Sequence, residues 1–204
     1  MAKINIKGLN AEIAAKGYKV FKPAAEQRIR NALVKETNKL LGDFESHPVT
    51  QEIEGGPDAG NKSGTLGGYG NLFSFIGFES GSDPISPIRS LLARSIKIKS
   101  FRKKRNVLGF VLKFTVPTIE EINSVSPMPW STESWAEAVE RGMSGLGQYL
   151  YSDSKSYNVS RSGPAVQLDF DLNGRSKGRS AAIDYMSGIL SRMLKSIESN
   201  LRRI

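Results

Sequence analysis

The sequence predicts an α+β fold: a mostly antiparallel sheet packed by an N-terminal helix and a long C-terminal amphipathic helix. Three observations carry that expectation. In SAAIDYMSGILSRMLKSIESNLRRI, residues Ile183, Met186, Leu190, Met193, Ile197, Leu201 and Ile204 recur at steps of three and four, the spacing of one helix face. Ile96 and Ile98 alternate with Lys97 and Lys99, and after the basic turn FRKKRN every second position from Leu108 to Val116 is apolar. Period two on both sides of a turn predicts a β-hairpin with one buried face. In VQLDFDL, Val166, Leu168, Phe170 and Leu172 alternate with Gln167, Asp169 and Asp171, the cleanest strand signal in the chain.

In chain order, residues 1–23 read as a polar arm preceding a single domain over 24–204. Pro23 suits a first helical turn, and AAEQRIRNALVKETNKLLG continues from it to a terminal glycine. Its apolar stripe of Ala25, Ile29, Ala32, Leu33, Leu40 and Leu41 is interrupted by Glu36 and Thr37. PVTQEI (48–53) and NLFSFIGF (71–78) are of strand length, with the glycine-rich loop 54–70 between them as a mobile connector. Asp83-Pro84 opens a short helix through Leu92. After the proline-rich SVSPMPW, Ser131 or Thr132 can cap a helix over STESWAEAVERG that Gly142 stops.

Composition bounds the function. The 204 residues are 39% hydrophobic and 24% charged, as in globular proteins. No apolar run is long enough to span a membrane, and the N-terminal residues lack the apolar centre of a signal peptide, so a cytosolic site of synthesis is expected. The absence of cysteine excludes disulfides, thiolate metal sites and cysteine nucleophiles. The net charge is +9, and from Pro84 to Ile119 there are nine basic side chains and no acidic one. A concentrated positive field attracts polyanions, nucleic acid above all. Within it Lys97, Lys99, Arg102, Lys103, Lys104 and Arg105 are the candidate nucleic-acid-facing residues; the bland alternative for FRKKRN is a solvated hairpin tip.

Motifs for other chemistry fail on inspection. GPDAGNKS resembles a phosphate-binding loop, but Asn61 stands where glycine must precede Lys62, and no helix-forming stretch follows. Asp169, Asp171, Asn173 and Gly174 open a calcium-loop pattern whose twelfth position is Ser180 instead of glutamate; an Asn-Gly turn ending a strand accounts for them. His47 is the only histidine, too few for an imidazole metal site, and reads as a loop residue. Carboxylates cluster at Glu120 and Glu121 and at Glu133, Glu137 and Glu140; the latter three fit a solvated helix face, and none forms a recognisable acid-base constellation. Phe73, Phe75 and Phe78 are able to stack on bases but suit a core. No enzymatic activity, cofactor or metal is expected.

The order of segments carries a resemblance. A helix followed by PVT, a glycine-rich stretch with SGTL, then NLFSFIGFESGSDPISPIRSLL, SWAEAVERGMSGLGQYL, SRSGPAVQ and DYMSGILSRMLKSIE resemble the neck and tail-completion proteins of tailed bacteriophages, over most of the chain from Ala24 onward. The resemblance implies a virion structural protein, assembled in the host cytoplasm, in which residues 120–162 are an insertion relative to shorter members. Its expected partners are copies of itself in a six-fold or twelve-fold ring, neighbouring neck or tail proteins, and DNA passing without sequence-specific contact. The competing expectation is a small basic nucleic-acid-binding protein acting outside a virion.

Overall fold

The structure, a computed structural model, describes residues 6–66, 70–103, 110–129, 131–143 and 180–201. Helix α1 (Ile6–Glu45) is 40 residues long and contains Pro23. The expected polar arm is therefore helical from Ile6 onward. Ala11, Glu12, Ala14, Ala15, Lys16 and Lys19 are strong helix formers, and they carry the helix upstream of a proline that removes one backbone donor. Ile29, Leu33, Leu40 and Phe44 form the buried stripe. Glu36, which breaks the stripe in sequence, is buried as well and accepts a hydrogen bond from Asn200 Nδ2.

Two expected strands are helices. Residues 48–53 lie in α2 (Pro48–Glu54), capped by His47, whose ring accepts a hydrogen bond from Val49 N, with proline at its first turn. Its buried residues are Val49, Thr50, Glu52 and Ile53, a helical face that includes two polar side chains. After the 3₁₀ turn η1 (Gly56–Asp58), the apolar run at 71–78 becomes α3 (Leu72–Ile76). Asn71 Oδ1 accepts from Ser74 N at one end, and Gly77 at φ 84° closes the other with its N–H directed to Phe73 O and Ser74 O. Two caps with five residues between them turn an apolar run into a short helix.

The glycine-rich loop, expected to be a mobile connector, is pinned by a side chain sequence reasoning passed over. Glu52 is fully buried, accepting from Ser63 N and Leu72 N, each at 2.7 Å. Asn71 Nδ2 donates to Pro57 O at 2.7 Å and Ala59 O at 2.9 Å. One carboxylate and one amide thus satisfy the backbone of a turn that lacks regular structure.

Helix α4 (Ser86–Ser95) follows Asp83, whose Oδ1 accepts from Ile85 N and Ser86 N. Strands β1 (Lys97–Lys103) and β2 (Phe110–Thr115) form the expected antiparallel hairpin. Thr118 and Glu121 make a reciprocal capping box at the start of α5 (Ile119–Ser124). Ser134 caps α6 (Trp135–Arg141), in place of Ser131 or Thr132, and Gly142 at φ 75° ends it. A side chain at Gly142 would place Cβ 2.9 Å from Ser180 O. The span 120–162 contributes Ile122, Trp135, Ala136, Ala138, Val139 and Met143 to the core, and its residues 144–162 lie outside the described residues. The chain ends on α7 (Met186–Leu201), while the strand expected at 166–172 and the Asn173-Gly174 turn lie outside the described residues.

The result is an α+β fold whose described sheet is a single antiparallel hairpin. Helix α7 runs antiparallel to α1, with Asp184 beside His47 at one end and Asn200 beside Glu36 at the other. Around their junction the rings of Phe44, Tyr185, Trp135 and Phe78 pack at centroid distances of 6.0–6.3 Å. Met143 N donates to Ser180 Oγ, Ser180 N to Met143 O, and Ala181 N to Thr65 O. These bonds tie the C-terminal segment to α6 and the glycine-rich loop.

Candidate nucleic-acid interface

The hairpin register decides which of the basic residues share a surface. Ile98 pairs with Phe114, Ser100 with Lys113, Phe101 with Leu112 and Arg102 with Val111, so Lys99 is a bulge. Because side chains alternate along a strand, an unbroken ladder would put Ile98 and Phe101 on opposite faces. The extra residue resets the phase, and Ile98, Phe101, Leu112 and Phe114 all pack toward the core. Lys97, Arg102 and Lys113 consequently occupy the outer face with Ser100, Val111 and Thr115, while Lys99 projects from the bulge.

Lys97, Lys99, Arg102 and Lys113 are exposed, and none of them is in an ion pair among the described residues. Val111, 43% exposed, lies opposite Arg102 as the one large apolar side chain of this face. Lys103 pairs with Phe110 through the backbone; Lys104 and Arg105 lie outside the described residues. Lys113 was not among the residues singled out from sequence, although its place in the polar phase of FVLKFT marks it. The structure brings it to the same face as Lys97 and Arg102.

Other members of the basic segment are committed elsewhere. Arg89 bridges Glu45 and Glu54, and the hydrogen bond it donates to Glu54 chiefly holds its guanidinium pKa above the ordinary value. Arg94 donates to Ser90 O. Among the described residues the outer face has no carboxylate partner, and neither strand carries a carboxylate. Lysine and arginine heads on a β-ribbon can neutralise phosphates. Between Lys97 and Arg105 there is no Asn or Gln to read base edges.

The remaining candidates behave as structural groups. In the loop resembling a phosphate cradle, Ser63 N is engaged by Glu52 and Gly64 N by Asn61 Oδ1. Phe73 and Phe78 are buried against each other, with Phe78 edge-on to Trp135, so neither ring is open to a base. Phe75 is half-buried. His47 Nε2 lies 3.0 Å from Asp184 O while Nδ1 caps α2. Among the described residues no group of three or more His, Cys, Asp or Glu is placed to hold a metal ion, and no helix is long and apolar enough to cross a membrane. Comparison of the chain with known protein families, with curated proteins and with solved structures finds no match.

Proposed function

We propose that the chain is a structural subunit of a bacteriophage virion that forms a ring at the neck, in head-to-tail connection or tail completion, around the DNA passage. The observation that carries this reading is the outer face of the hairpin: Lys97, Lys99, Arg102 and Lys113 are exposed with no ion-pair partner among the described residues, on a ribbon whose opposite face is anchored to the core. A ring that passes DNA needs a surface that meets phosphate without reading sequence and holds it weakly enough to let it slide. The order of segments supports the same assignment. In this role the protein has no catalytic residue; its neighbours are copies of itself and adjoining neck or tail proteins.

Virions assembled with Lys97, Lys99, Arg102 and Lys113 all changed to serine test the reading. The expected result is normal particles with defective genome retention or passage. Fully infectious virions carrying that variant would overturn the hairpin's role at DNA. Rings that form but fail to join their neighbour would reassign the face to protein contact.

A further inference from the structure

The N-terminal part of α1 has too little to cover it. Residues 17–28 include no buried side chain, and the core stripe begins only at Ile29. Val20 and Phe21 are 71% and 56% exposed on this helix, with exposed Lys19 and Arg28 on the same arm. Neither cation is in an ion pair among the described residues. An adjacent valine and phenylalanine left in water on a helix mark a contact surface rather than a solvated one.

A surface of opposite character exists in the same chain. Residues 114–140 contain five glutamates and no basic residue, directly after the basic hairpin. Glu120 and Glu133 are exposed and without an ion pair among the described residues, near exposed Pro127 and Pro129 and half-buried Ile119 and Val125. The segment is folded into one unit: Met128 N donates to Glu133 O, and Asn123 Nδ2, one turn after Glu120, donates to Glu137 Oε2.

The two surfaces sit at opposite ends of the protomer. Helix α6 meets the start of α7 through Glu140, which accepts from Ser187 N at 2.6 Å, and the start of α7 is held at His47, just past the end of α1. Val20 lies about 40 Å back along the helix axis, at 1.5 Å per residue. The arm of one protomer therefore cannot reach its own acidic face.

We infer that the α1 arm of one copy docks on the α5–α6 face of the next, seating Val20 and Phe21 against the proline-lined surface while Arg28, seven to eight residues on and on the same side of the helix, faces Glu120 and Glu133. The inference rests on the ring reading above and supplies its contact. Such a head-to-tail contact uses two different patches and generates a closed ring when its rotation closes.

The test is a charge exchange in the 204-residue chain, read by native mass at low salt. Arg28→Glu should dissociate the assembly to the protomer, as should Glu120→Lys with Glu133→Lys. All three changes together should restore the large species, which excludes misfolding as the cause of either loss. The contact is overturned while the ring reading survives if the arm variant keeps the large species, or if both variants dissociate it and the combination does not recover it. A wild-type chain that stays a protomer at every concentration overturns both.

Discussion

Glu52 and His47 show how single side chains hold this fold. Glu52 is fully buried, and each oxygen accepts one backbone N–H from a segment with no ladder of its own. In Glu52→Gln, the amide would turn an N–H toward one of those donors. Leaving a buried donor unmatched costs roughly 1–3 kcal/mol, so the variant should lose stability of that order in urea denaturation, with proteolysis first cutting the 54–70 loop. An unchanged midpoint would show that the loop is held by other means. His47 links the α1–α2 junction to α7, and its neutral form fits both bonds, with Nδ1 accepting from Val49 N and Nε2 donating to Asp184 O. Burial lowers its pKa below 6.5, and Arg192 acts in the same direction; the Asp184 carbonyl and the carboxylates of Asp184 and Glu140 oppose them. The unfolded chain thus takes up the proton first as pH falls. Stability is full above about pH 6.5 and declines below it, by at most about 1.4 kcal/mol per pH unit. Melting temperatures from pH 7.5 to 5 should fall for the wild type and fall less for His47→Asn, which keeps an N-cap acceptor. Equal slopes would assign the dependence to other groups.

At the scale of elements, what could be read from the sequence depended on whether polarity tracked burial. The terminal helix and the hairpin were legible because their apolar spacings are regular and match the buried faces. Residues 48–53 and 71–78 were not. In the first, Val49 and Ile53 stand four apart with Thr50 and Glu52 buried between them, and so short a stretch was read by its length; in the second, caps at Asn71 and Gly77 outweighed an aromatic run of strand length. The capping box at Thr118 and Glu121 was present in the sequence, but its glutamate was read only as one of a carboxylate cluster. The bulge at Lys99 was equally hidden, since alternation of Ile96 to Lys99 gave no sign that the phase changes before Phe101. The bulge account predicts that deleting Lys99 restores a regular ladder without moving Ile98, Phe101, Leu112 or Phe114 off the core face. Circular dichroism and thermal melting should then show a folded protein within about 1 kcal/mol of the wild type. Loss of the folded state would show that the kink itself is required.

At the scale of the whole molecule, the main feature is the separation of charge along a chain with a long projecting helix. The basic hairpin face, the acidic α5–α6 surface and the α1 arm are three distinct surfaces, and the account assigns them to DNA and to the two sides of a head-to-tail contact. The basic segment was legible as a run of charge. Its division into an outer face, a committed Arg89 and the added Lys113 required the register. The arm was expected to be polar and separate, whereas its helical continuity with α1 makes it a lever that places Val20 about 40 Å from the far end of that helix, at 1.5 Å per residue. The mass of the native particle formed by this 204-residue, 22.3 kDa chain tests the central claim most directly. The account predicts a large symmetric assembly whose mass is an integral multiple of the protomer and which falls apart on charge reversal in the arm. A protomer that stays single at every concentration and binds DNA as a small species would contradict it.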